Sequence, residues 1–293
     1  MRLARIGIAV IGPFVLALAG LCRPAAGQEK VQPAAPQVVV LDGRSFWRLY
    51  QTLRPPVAQL DGGLKRVLMK QYWLNWKTPE PPPAWRTPGF DDGGWVRLPA
   101  LRAAKTPYLA RLCLRGRFTV GDPAKADKLT LSLSYHGGAI VTVNGKEIAR
   151  RHMSGRGANA LAEPYPLETY VGPDGKLMHY RRASAGARRR MATRVRRCEL
   201  TIPPAGLRKG VNVLAIEIVR APCHKVIEEK TSSGGNRGKP SPYDVNWNTC
   251  EVRSVRLAAA GGAGVSVESV RPAGLQVWNS NMLAADFDLD FAG

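Results

Sequence analysis

The residues best suited to chemistry in this sequence are aromatic rings set among amide and carboxylate side chains. The run Tyr243-Asp244-Val245-Asn246-Trp247-Asn248 places two rings beside side chains that hydrogen-bond hydroxyls. A sugar is held in this way: the C–H face of the ring stacks on an aromatic while a few placed polar groups fix orientation. Trp76 and Trp85 stand in or beside a proline-rich loop, and His136 stands in a Gly-rich turn. With Trp247, Tyr243 and Asn246 they make the candidate ligand contacts. Burial is the commoner fate of tryptophan, and Trp95 is expected inside. A second constellation is cationic. Arg188, Arg189, Arg190, Arg194, Arg196 and Arg197 follow Arg181 and Arg182 with no acid between them. Guanidinium forks grip carboxylate, sulfate or phosphate bidentately, so the tract is a candidate anion site; the alternative is a solvated loop. It contains no aromatic of the kind that nucleic-acid binders interleave for stacking, and nucleic acid is not an expected partner.

Catalytic patterns are missing. Glycoside cleavage needs two flanking carboxylates, normally supplied by a barrel of about 250 residues, and the chain of 293 residues leaves no room for one beside its other elements. Glu228-Glu229 adjoins Lys230 and reads as a solvated pair. There is no Gly-x-Ser-x-Gly elbow, no His-Glu-x-x-His helix and no phosphate-cradling loop. Cys198, Cys223, His224 and Cys250 match no zinc spacing. Asp286, Asp288 and Asp290 alternate on one strand face without the following glycine of a calcium loop. No cofactor is expected; structural calcium is not indicated.

The N-terminus reads as an export signal over residues 1–27. Arg2 and Arg5 precede an apolar stretch from Ile6 to Leu21, and Ala25 and Gly27 fit cleavage before Gln28. Sixteen residues interrupted by Pro13 are short for a membrane span of roughly 20, so none is expected after cleavage. The expected destination is the periplasm, the cell surface or the exterior. There Cys113, Cys198, Cys223 and Cys250 could pair in any of three ways. The formal charge of +21 favours anionic partners such as acidic polysaccharide or envelope polymers.

The remaining chain must position these groups. Residues 28–43 read as a linker whose apolar Val38–Leu41 run could form a short first strand. In 44–70, Phe46, Trp47, Leu49, Tyr50 and Leu53 suit one helical face, and a partly helical segment is expected. Period-2 alternation dominates from Gln71 onward. Leu129, Leu131, Leu133 and Tyr135 alternate with polar residues. Asn144-Gly145 is the strongest short hairpin signal. Val213–Val219 is apolar on both faces, as a central strand would be, and a phase shift at Ser254 predicts a bulge. Residues 151–197 read as a basic insertion. The main sandwich is expected over 71–260, and short strands over 261–293 suggest the start of a further module. Short strands with frequent turns mean a sandwich or barrel.

Several pieces occur in the order of one known module: Phe90-Asp91-Asp92-Gly93-Gly94-Trp95 with Leu98-Pro99, Tyr108–Arg111, Arg117–Val120, Leu129–Tyr135, Ala139–Glu147 and Gly210–Glu217. Over roughly Tyr72 to Leu257 the chain resembles the galactose-binding-like jelly-roll domain at the N-terminus of family 2 glycoside hydrolases. The resemblance implies an all-β antiparallel sandwich with long loop insertions, here with the minor N-terminal helix of 44–70. It also implies a non-catalytic, carbohydrate-binding role in an exported protein. Asp91 or Asp92 is expected to form an Asx turn, with Trp95 plugging the sandwich. Asn144, Gly145 and Asn212 are expected to hold backbone turns. The basic insertion and the missing barrel depart from the pattern. The alternative is an adhesion or structural domain that meets anionic envelope polymers or a protein.

Overall fold

A computed structural model describes residues 37–71, 73–126, 129–157, 159–178, 184–229, 241 and 247–260, and the backbone of 265–266, 272–278 and 282–287. The export signal, Tyr243 and Asn246 lie outside the described residues. Strands dominate: β1 (Gln37–Asp42), β2 (Phe46–Leu53), β3 (Val57–Leu60), β4 (Gly63–Arg66), β5 (Val96–Pro99), β6 (Leu109–Val120), β7 (Leu129–His136) and β8 (Gly138–Val143). They continue as β9 (Lys146–Arg151), β10 (Arg196–Ile202), β11 (Gly210–Val219), β12 (Cys223–His224), β13 (Glu251–Ala260), β14 (Val265–Ser266), β15 (Pro272–Trp278) and β16 (Met282–Phe287). The helices are α1 (Ala185–Ala192) and the single turn α2 (Val226–Glu229).

Two antiparallel sheets form the sandwich. The smaller has the order β1-β13-β7-β10; the larger runs β5-β2-β6-β11-β8-β9, with β14 extending the β2 edge of β6. Their facing sides bury Trp47, Leu49, Leu112, Leu114, Phe118, Leu131, Leu133, Leu214, Ile216, Ile218 and Leu257. Strand β7 alternates buried and half-buried residues along its whole length, as its sequence predicts. Gly137 turns the chain from the smaller sheet into the larger at φ +97°, and a Cβ there would stand 2.2 Å from the Val219 carbonyl oxygen. Asn144 and Gly145 both take positive φ between β8 and β9, the type I′ geometry. The register of β13 against β7 slips between Val252 and Ser254, the predicted bulge. A small third sheet has the order β12-β3-β4, with β12 parallel to β3.

Four sequence expectations fail. Residues 44–70 are strand rather than helix, because Trp47 and Leu49 face the core while Tyr50 packs on Trp95 on the opposite side. A strand covered on both faces loses its period-2 signature. The short first strand allowed for in 28–43 is β1, but it pairs β13 as a sandwich strand, so the sandwich begins before residue 71. Tyr72, Leu74 and Trp76 alternate, but no strand runs from 73 to 82. The insertion ends early, since Arg196 and Arg197 already belong to β10 against β7. Cys113, Cys198, Cys223 and Cys250 are all free thiols.

Candidate functional site

The chemistry of the larger sheet lies on its outer face. Along β6, Arg111, Cys113, Arg115 and Arg117 oppose Val219, Glu217, Ala215 and Val213 of β11, while the intervening residues point into the core. A face carrying three arginines and a glutamate in mid-sheet needs a polar cover, and the segment 79–95 supplies it. Trp85 and Trp95 close over Cys113, Val213 and Ala215. Trp95 therefore plugs the outside of the larger sheet, not the space between the sheets as its sequence suggested. Asp91 accepts the Gly93 N–H at 2.9 Å, an Asx turn that aims its neighbour Asp92 inward. The Asp92 carboxylate takes Arg115 Nε at 2.8 Å and Arg117 Nη2 at 3.0 Å, with Arg48 Nε at 3.7 Å. Arg115, only 1% exposed, also donates to the carbonyls of Trp85, Thr87 and Phe90. Glu217 is gripped by Arg86 and Arg111.

At the Arg111–Val219 end of this face a cleft of about 390 Å³ opens, lined by Arg54, Arg66, Arg111, Arg220, Glu80 and Asn159 together with Pro55, Val57, Leu64 and Leu161. Four guanidinium groups meet one carboxylate there. Glu80 is shared between Arg54 at 2.9 Å and Arg111 at 3.4 Å. Arg66 Nη2 donates to the Leu74 carbonyl at 3.1 Å. Arg220 follows directly on the apolar strand β11 and is 8% exposed. Its Nη1 donates to the carbonyls of Arg54 and Pro55 at 3.0 and 2.8 Å, and its Nε has no hydrogen-bond partner. Burial pulls its pKa down to about 10, which leaves it charged at neutral pH. The turn Gln71–Leu74 beside Arg66 carries Trp73, 67% exposed.

The residues singled out from sequence fare unevenly. Trp85 and Trp247 are buried, at 1% and 4% exposed. Trp85 packs on Trp95, and Trp247 stacks on Tyr170, so neither ring offers a face to a ligand. Trp76 is half-buried against Tyr108. His136 ends β7 rather than sitting in an exposed turn, and lies 3.5 Å from Glu251. Burial pulls its pKa down to about 4, the Glu251 carboxylate opposing and Arg194, Arg253 and Lys105 assisting. The arginine tract does not form one anion site. Arg190 donates to the Val171 carbonyl, Arg194 is buried over the Tyr170 ring, and Arg196 donates to the carbonyls of Gly137, Glu163 and Pro164 above the Tyr165 ring. Arg188, Arg189 and Arg197 are exposed. Asn144 and Asn212 hold turns: Asn144 Nδ2 donates to Gly206 O and Asn212 Oδ1, and Asn212 bonds Arg208 and Gly210. The cleft arginines escaped sequence reading because they come from four separate stretches; the only local signal is a charged residue closing an apolar strand, at Arg220.

No family model and no curated protein matches the chain. Among solved structures it is similar to a calcium-binding mutant of β-glucuronidase 2 from Bacteroides uniformis, with 14% identity, 76% of this chain and 18% of that one covered, and a TM-score of 0.37. It is also similar to the β-glucuronidase of Bifidobacterium dentium, with 10% identity, 78% and 30% covered, and a TM-score of 0.39. The Ruminococcus gnavus β-glucuronidase aligns at 15% identity, 78% and 30% covered, and a TM-score of 0.36. The chain thus spans between about a fifth and a third of the length of these enzymes, and likeness at this level carries no argument about activity.

Proposed function

We propose that this chain is a non-catalytic carbohydrate-binding module of an exported, polysaccharide-associated protein, built as a jelly roll of the family 2 glycoside hydrolase type. The cleft at the rim of the larger sheet is its glycan site. The observation that carries the reading is the cleft's polar lining, with Trp73, 67% exposed, on the neighbouring turn whose Leu74 carbonyl Arg66 bonds. A ring for the sugar face beside polar groups for its substituents is what glycan recognition requires. The cleft volume also falls within the roughly 300–1000 Å³ of small-ligand sites. The lining brings one carboxylate, Glu80, where hydrolysis requires two. Among the described residues no helix is long and apolar enough to cross a membrane.

Affinity electrophoresis against neutral and acidic polysaccharides tests this. Retardation that Trp73→Ala abolishes supports it; free migration in every gel removes it. The exposed Arg188 and Arg189 of α1 favour a second reading, adhesion to an anionic envelope polymer. Such binding would collapse at modest salt, whereas stacking on Trp73 survives it.

A further inference from the structure

We infer that the cleft recognises an anionic substituent of the glycan, a carboxylate or a sulfate ester, and that Arg220 is the residue on which it seats. This deepens the carbohydrate reading and rests on it. The lining carries four arginines and the one carboxylate of Glu80; Glu80 is shared by Arg54 and Arg111, and Arg111 also pairs with Glu217 from outside the lining. Among the described residues neither Arg66 nor Arg220 has an ion-pair partner; both spend donors on backbone carbonyls. A guanidinium buried without a counter-charge is unfavourable unless something anionic joins it. The Arg54 and Pro55 carbonyls occupy Nη1 and fix the plane of the Arg220 guanidinium, whose Nε is buried without an acceptor. A planar, pre-oriented guanidinium at the cleft suits a two-oxygen anion. Neutral hydroxyls would leave the excess positive charge unanswered. The volume admits a sugar residue rather than a nucleic-acid duplex, so the charge acts on one substituent.

The test is calorimetric titration of the full chain at about 0.15 M ionic strength with oligogalacturonate, its methyl ester, a sulfated galactan oligosaccharide and its desulfated form. The expected result is binding of at least one charged ligand, with its uncharged counterpart about tenfold weaker; which charged ligand binds identifies the substituent. Arg220→Met and Arg66→Gln should each weaken the charged ligand about tenfold and the uncharged one by much less. Arg66 is exposed, so its variant keeps the test valid if Arg220→Met does not fold. Equal affinity for charged and uncharged partners overturns this inference and leaves the module reading standing. Charged-ligand binding that is insensitive to Arg66→Gln but lost in Arg188→Gln/Arg189→Gln also overturns it. No binding of any glycan removes both.

Discussion

Replacing Asp92 with alanine should unfold the protein's outer cover at a cost well above that of an ordinary surface substitution. Asp92 is 4% exposed and is the carboxylate partner of Arg115, which is itself 1% exposed. Three carbonyls also hold that guanidinium, but they are dipoles and do not neutralise it. Removing one partner of a buried ion pair costs about 3–5 kcal/mol, because an unanswered charge stays behind. In a chain of this size, at about 2–4 °C per kcal/mol, the melting temperature should fall by roughly 6–20 °C. Urea denaturation of wild type, Asp92→Ala, Arg115→Met and the double variant measures it. The double variant should be more stable than Asp92→Ala alone, since the stranded charge has gone, with a coupling of about 1–3 kcal/mol. If Asp92→Ala unfolds within about 1 kcal/mol of wild type, the assignment of Asp92 as the clamp of the outer face is wrong.

Other consequences are as direct. The unfolded chain protonates His136 near 6.5 and the folded chain only near 4. Its contribution is therefore complete above 6.5 and is lost as pH falls, amounting to about 2 kcal/mol at pH 5. His136→Asn should flatten the difference in urea midpoint between pH 7 and pH 5; an unchanged difference would contradict the burial argument. Gly137→Ala sets a Cβ against the Val219 and Thr249 carbonyls at positive φ and should destabilise by about 3 kcal/mol or more, whereas Gly62→Ala, in open space, should change the midpoint little. Cys113, Cys223 and Cys250 are buried with raised pKa, so Ellman's reagent should reach only half-buried Cys198 of these four in the native protein. Reductant should leave the melting temperature unchanged; a drop of several degrees would reveal a disulfide.

The sandwich was legible wherever one strand face meets the core and the other meets water. Leu129–Tyr135 shows its period, Asn144-Gly145 its turn and Ser254 its bulge. It was illegible where both faces are covered: Phe46–Leu53 carries apolar residues inward and outward, which mimics a helical stripe. The same outer cover hid the fate of Trp85 and Trp95, because nothing local says which side of a sheet a tryptophan will close. The arginine tract misled for the opposite reason. Its residues are contiguous, yet Arg190, Arg194 and Arg196 are consumed by carbonyls and tyrosine rings. The cleft is assembled from Arg54, Arg66, Arg111 and Arg220 only when β2, β4, β6 and β11 converge, so no window along the sequence contains it.

Hydrogen–deuterium exchange with a saturating acidic oligosaccharide tests the central claim most directly. Slowed exchange confined to residues 54–66, 73–80, 110–111 and 219–220 is the predicted footprint. Slowed exchange over 184–192, with the cleft segments untouched, would contradict it.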